Sequence, residues 1–215
     1  MKEKGINLHK VNKDFLTAFK TLKGVNPGIV CFSSAKINKG PFYDLATNVC
    51  KELSRKGYNI ITGGGPGIME ACNRGAIEGK NGKSIGFQIE LPNQSDNPYL
   101  DISIKFKYFF SRKTMFARYA NAYVVFPGGF GTLDELFEIL TLIQTQKIKK
   151  KPIILVGVKY WQNLIKFIIN TLQHQGAINK RDYELITFTD DTNTIIKIID
   201  SFIKEKQRFP RKKFI

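Results

Sequence analysis

Ala122-Tyr123-Val124-Val125-Phe126-Pro127-Gly128-Gly129-Phe130-Gly131-Thr132-Leu133-Asp134-Glu135 begins as an unbroken apolar run and stops at a proline and glycines. It then resumes with apolar residues at helical spacing. The first part has the pattern of a strand buried on both faces, and the last that of an amphipathic helix. A strand that ends in a glycine turn and feeds a helix is half of a βαβ unit. The same alternation extends in both directions. Strands are expected over residues 28–32, 58–62, 84–89, 102–106, 122–126, 152–156 and 185–189. Helices are expected over 13–22, 43–56, 68–78, 111–120, 132–146, 160–172 and 192–203. The predicted fold is α/β: a Rossmann-like, doubly wound, mostly parallel sheet with helices on both faces.

At 215 residues and 42% hydrophobic content the chain can bury one sizeable core, so residues 1–215 read as a single domain. There is no internal repeat or low-complexity linker. The connection holding Pro92, Asn93 and Pro98 is expected at the surface, and the basic end from about Lys204 reads as a loosely tied tail. No apolar run is long enough to span a bilayer, and residues 1–10 lack a secretory leader's apolar core; the expected location is cytoplasmic.

The formal charge of +16 invites a nucleic-acid reading. The lysines, however, are spread along the chain, densest at 147–151 and 204–213, and accompany no nucleic-acid-binding motif. Solvated lysine faces are the preferred reading, with some attraction of anionic nucleotides. Cys31, Cys50 and Cys72 sit in apolar patterns without a Cys-x-x-Cys pair, so they read as reduced core residues. His9 and His174 lie in no motif, and no metal site is expected.

In open α/β sheets, ligands gather beyond the carboxyl ends of strands, where helix N-termini favour anions. Two turns qualify. Gly63-Gly64-Gly65-Pro66-Gly67 follows one strand, and its Gly64 and Gly65 are candidate phosphate contacts, although tight packing alone would also call for glycine. In the second turn Gly128, Gly129 and Gly131 remove side chains and Thr132 offers a hydroxyl near the helix start. Neither has the Lys-Ser/Thr ending of a P-loop.

On the following helix Leu133, Leu136, Phe137, Leu140 and Ile143 are expected to pack on the sheet, leaving Glu135 in the first turn beside the anion site. The helix dipole should keep that carboxylate ionised near neutral pH. Ser111-Arg112-Lys113 places cations at another helix start, where the dipole disfavours them. A local rule broken in this way suggests a functional reason, here a guanidinium that anchors a phosphate or leaving group.

Taken together, Gly63-Gly64-Gly65-Pro66-Gly67-Ile68-Met69-Glu70-Ala71, Arg112-Lys113 and Pro127-Gly128-Gly129-x-Gly131-Thr132-x-x-Glu135 resemble the LOG ("lonely guy") family of cytokinin-riboside-monophosphate phosphoribohydrolases, often labelled lysine decarboxylase-like. The likeness covers roughly residues 26–202. Glu90-Leu91-Pro92 and Asn97-Pro98-Tyr99 look like the longer bacterial members. The resemblance implies hydrolysis of the N-glycosidic bond of a nucleoside 5′-monophosphate to free base and ribose 5-phosphate. It implies no cofactor, and a homodimer with the site near the interface. Arg112 and Glu135 match the catalytic pair; Gly64, Gly65, Gly128, Gly129, Gly131 and Thr132 fall to the phosphate; Ser34, Glu90, Lys113 and Thr141 fall to the ribose or base pocket. One departure stands out: where such proteins usually read Gly-Ser-Ala-Arg after the first strand, this chain has Ser33-Ser34-Ala35-Lys36. A pyridoxal-phosphate decarboxylase is disfavoured because no Schiff-base lysine with a pyridinium partner is evident. A non-catalytic nucleotide or molybdenum-cofactor carrier is the rival reading.

Overall fold

The computed structural model describes residues 5–91 and 97–208. Pro92 and Asn93, and the basic tail beyond residue 208, lie outside the described residues. The strands are β1 (Gly28–Phe32), β2 (Ile60–Thr62), β3 (Ser84–Ile89), β4 (Ile102–Phe106), β5 (Ala120–Val125), β6 (Ile153–Leu155) and β7 (Ile186–Phe188). The helices are α1 (Leu8–Thr21), α2 (Pro41–Arg55), α3 (Ile68–Gly79), α4 (Phe109–Tyr119), α5 (Phe130–Gln144), α6 (Val158–Phe167), α7 (Lys180–Tyr183) and α8 (Thr192–Arg208), with a π-helical turn over Ile168–Gln173. Every strand foreseen from periodicity is present.

The strands form one 7-stranded sheet in the order β4-β3-β2-β1-β5-β6-β7, every pairing parallel. Such a sheet needs helical crossovers, and these cover both faces. Val30, Phe32, Tyr123 and Val125 join Met115, Phe116, Leu136 and Ile139 in one core layer. Ile29, Cys31, Val124 and Phe126 join Val49, Leu53, Ala71, Ala76, Ile195 and Ile199 in the other. Alternate residues of the central strands thus feed opposite layers, which is why β1 and β5 are apolar throughout. The order reverses between β1 and β5, and in open α/β sheets the crevice for ligands lies at such a switch point.

The helix carrying Arg112 is anchored from a distant part of the chain. Tyr108, the N-cap of α4, makes no side-chain cap bond. Asp14 of α1, 6% exposed, serves instead. Its carboxylate accepts from the Lys107 and Tyr108 amides at 3.1 and 3.2 Å and from Ser111 Oγ at 2.5 Å. The two amides would otherwise be unpaired donors at the positive end of a helix. Asp14→Ala should lower unfolding stability by about 1–3 kcal/mol, the cost of stranding buried donors, with Asp14→Asn losing less. The check is the urea midpoint at unchanged m; equal midpoints for wild type and Asp14→Ala would refute the clasp.

Candidate active site

Three loops meet at the crevice. Phe126 N–H donates to Phe32 O at 2.9 Å, and Ser34 N–H donates to Pro127 O at 3.2 Å, joining the end of β1 to the turn after β5. Ile68 N–H donates to Ser34 O at 3.0 Å, joining the same residues to the start of α3. Gly67 must be glycine: its φ is +69°, and a Cβ there would lie 2.8 Å from the Ser34 and Ile37 carbonyl oxygens.

The turn from Gly63 to Gly67 is held by a buried polar network. Thr62 Oγ1 donates to Asn73 Oδ1 at 2.6 Å and accepts from Gly64 N–H at 2.8 Å. Gln88 Nε2 donates to Gly64 O, and Asn97 Nδ2 to Gly65 O. The Gly64 amide is therefore spent inside the protein. What this turn offers the crevice is proximity: a Cβ on Gly63 would come within 3.5 Å of Arg112 Nη1.

The turn after β5 is different. Gly128 is packed under Thr132, whose Oγ1 would sit 2.0 Å from a Cβ, and its carbonyl accepts from Tyr160 Oη at 2.9 Å. At Gly129 and Gly131 a Cβ would meet nothing within 4 Å. Gly129 is the N-cap of α5, so the first amides of the helix face this open space with no side-chain cap. Thr132 is buried in the first turn rather than at the cap position.

Arg112 and Glu135 meet at the crevice. Arg112 Nη2 lies 2.9 Å from Glu135 Oε1, each side chain 11% exposed. The guanidinium is flanked by the Phe109 and Phe116 rings, 5.2 and 5.5 Å from their centroids. Its Nε is buried without a partner. Burial pushes the Glu135 carboxyl up to about 7, against the pull of the Arg112 charge, with Asp134 adding to the rise. This corrects the expectation that the helix dipole keeps it fully ionised: the loss of water outweighs the dipole.

The remaining expected site residues are dispersed. Lys113 pairs with Asp134 at 3.1 Å and Glu138 at 3.0 Å, tying α4 to α5. Glu90 is exposed and lies 3.7 Å from Lys107. Thr141 is exposed and donates to Phe137 O. It lines a groove of about 470 Å³ on the outer side of α5, with Phe130, Leu133, Asp134, Phe137, Glu138 and Leu142. Ser34 Oγ accepts from the Lys36 and Ile37 amides at 2.9 and 3.3 Å, closing its own turn. Its neighbour Ser33 is buried, with an Oγ that has no partner.

Asp14 and Tyr160 escaped the sequence reading because they act across 97 and 32 residues of chain. So did the convergence of Cys31, Cys50 and Cys72, whose sulfurs lie within 4.8 Å of one another in the apolar core. Burial there pushes the Cys50 and Cys72 thiols up, which keeps them protonated and inert.

Residues 69–199 match a family model described as "Possible lysine decarboxylase". The chain is 30% identical over 197 residues to the pyrimidine/purine nucleotide 5′-monophosphate nucleosidase of Escherichia coli (strain K12), covering 84% of this chain and 42% of that protein. It therefore spans less than half the length of that relative. It is 27% identical over 176 residues to the cytokinin riboside 5′-monophosphate phosphoribohydrolase LOG of Oryza sativa subsp. japonica, covering 80% of this chain and 72% of that protein. Among solved structures, the molybdenum cofactor binding protein from Rippkaea orientalis has a TM-score of 0.63 at 20% identity, covering 83% of this chain and 98% of the other. The molybdenum cofactor carrier protein from Chlamydomonas reinhardtii has a TM-score of 0.63 at 22% identity, covering 83% and 99%. Likeness at these identities concerns the fold. The family match runs from α3 into α8 and so spans both the Arg112 and the Glu135 helices; the chain belongs to the LOG family, the one described as possible lysine decarboxylase.

Proposed function

We propose that the chain hydrolyses the N-glycosidic bond of a nucleoside 5′-monophosphate, AMP or a cytokinin riboside 5′-monophosphate, releasing free base and ribose 5-phosphate. The observation that carries this reading is the buried Arg112–Glu135 pair at 2.9 Å beside the open N-terminus of α5. The 5′-phosphate sits at the amides of Gly129 to Thr132, where the helix dipole and missing side chains favour an anion. The bond from C1′ to the base breaks with its electron pair leaving on the base. The ribose becomes cationic, and the Glu135 carboxylate stabilises it; little water competes at a site this buried. Arg112, with Nε free to donate, polarises the phosphate or the departing base. A water then adds to C1′, and its proton passes to the base or to solvent.

Glu135→Gln keeps the shape and removes the charge, and Arg112→Ala removes the cation. Each should lower kcat for base release from AMP by at least about a hundredfold, judged against the loss on removing one preorganised electrostatic group. Chromatography of free adenine is the measurement; near-wild-type kcat in both variants would sink the assignment. No base from any nucleoside monophosphate with the wild type, alongside tight nucleotide binding, would favour the carrier reading suggested by the structural neighbours.

The role given to Glu135 requires its ionised form. Its folded-state value of about 7 lies above the ordinary carboxyl range, so the active fraction grows as pH rises through 7 and shrinks below it. The expected kcat/KM profile has an acid limb of unit slope with a midpoint near pH 7. An acid limb centred near pH 4.5 would mean that burial does not govern this carboxyl, and activity rising toward acid would make it a proton donor instead.

The same reading includes a homodimer through α4 and α5. Phe130, 92% exposed, and Phe137 line the groove along α5, and Phe109 and Phe110 of α4 are also exposed. A second copy of the chain would remove this apolar surface from water. Light scattering should give twice the chain mass for wild type and a monomer for Phe130→Asp/Phe137→Asp. A monomeric wild type would refute the dimer.

A further inference from the structure

We infer that Ser33 is a further substrate contact, its hydroxyl donating to an oxygen of the 5′-phosphate; the inference rests on the nucleotide reading above and deepens it. Ser33 is the first residue after β1, at the point where the strand order reverses. The backbone on either side of it is tied to both glycine turns. Phe32 O accepts from Phe126 N–H, Ser34 N–H reaches Pro127 O, and Ser34 O accepts from the first amide of α3. The N-termini of α3 and α5 therefore flank this one residue, and both bring positive potential to it.

Only 8% of Ser33 is exposed, yet its Oγ has no hydrogen-bond partner. Buried hydroxyls in folded chains nearly always find one, since an unmatched group gives up its bond to water for nothing. Among the described residues the other buried side-chain atom in this condition is Arg112 Nε. That atom belongs to the residue paired with Glu135, and Arg112 Nη1 would lie 3.5 Å from a Cβ on Gly63. Ser33 follows β1 and Arg112 lies against Gly63, which follows the neighbouring strand β2, so two unmet donors sit at adjacent strand ends and point to a ligand that meets both. A phosphate presents several charged acceptor oxygens and suits a serine hydroxyl, which rotates to suit its acceptor.

Ser34 Oγ accepts two amides of its own turn, which fixes that oxygen in place and leaves its single O–H as the one donor it has to offer. The hydroxyl with no partner of either kind is one residue earlier, where the family resemblance leads one to expect glycine. A glycine there could offer only its amide; this chain adds a donor on a side chain.

The test compares wild type with Ser33→Ala and Ser33→Gly, using thermal melting and titration with AMP, ribose 5-phosphate and inorganic phosphate, and adenosine as the ligand without phosphate. Removing an unmatched hydroxyl should leave the unliganded melting temperature of Ser33→Ala equal or higher. Its Kd for AMP and ribose 5-phosphate should rise about tenfold, the worth of one charge-assisted hydrogen bond, with adenosine binding unchanged. In turnover, KM for AMP should rise with kcat little altered. Wild-type affinity for AMP in both variants would overturn the contact. Equal weakening toward adenosine would move the hydroxyl to the sugar or base and overturn the phosphate assignment. Lower unliganded melting temperatures in both variants, with unchanged ligand affinity, would make the residue a packing element. A wild type that binds no phosphate-bearing ligand would sink the nucleotide reading itself, whereas a wild type that binds them with variants that match it sinks this inference alone.

Discussion

Arg112 and Glu135 are held 2.9 Å apart with most of each side chain out of water, and such a pair is stable only if its geometry is fixed by something stiffer than itself. The stiffness comes from topology. α4 leads into β5 and α5 leaves it, and right-handed crossovers in a parallel sheet lay both helices on the same face. Residues 23 positions apart are thereby brought together at the carboxyl end of the central strands. Around that contact, Asp14 fixes the start of α4, Lys113 ties α4 to α5 through Asp134 and Glu138, and Phe109 and Phe116 confine the guanidinium. Each would be an unremarkable surface or core interaction elsewhere. Here they restrict the motion of two charges that solvent no longer stabilises.

How much of this could be read in the residue order depended on the range over which each interaction acts. The strands were legible because a parallel strand buried on both faces is a short apolar run bounded by turn residues, and β1, β3 and β5 have that form. The start of α1 was placed late because Asn7 caps it through a single side-chain bond to the Lys10 amide, a feature periodicity does not register. In α5 the stripe was found through Leu133, Leu136, Leu140 and Ile143, but it includes Ile139 in place of Phe137. Leu136, Ile139 and Ile143 are buried while Phe137 is partly exposed, since apolar residues occupy more than one side of this helix. A helix with two apolar sides suggests a second partner, and the groove along Phe130, Leu133 and Phe137 is where that excess collects.

The site residues followed the same rule. Arg112 was legible as a cation where the helix dipole disfavours one and Glu135 as a first-turn acid, and the resemblance joined them as a pair, but the protonation balance of Glu135 was not legible, because burial is a property of the assembled fold. The resemblance assigned Ser34 to the ribose or base pocket and gave Ser33 no role. That one of two adjacent hydroxyls accepts the Lys36 and Ile37 amides while the other has no partner at all is visible only in three dimensions.

The glycines carry the argument one step further, because they divide by what forces them. Gly67 is required by its positive φ and by the Ser34 carbonyl against it, and Gly128 by Thr132 lying over it. These two would be glycine whether or not anything ever bound. Gly129 and Gly131 have neither a positive φ nor a neighbour within 4 Å of a Cβ, and Gly131 sits inside a helix, where glycine costs about 1 kcal/mol relative to alanine. Nothing in the folded chain compensates that cost. The space in front of them is bordered by uncapped amides, with the Arg112–Glu135 pair one turn further along α5. The phosphate proposed to bind there would, in close contact with the backbone, supply the missing reason for glycine at both positions, on physical grounds that do not rest on the motif by which the family is recognised.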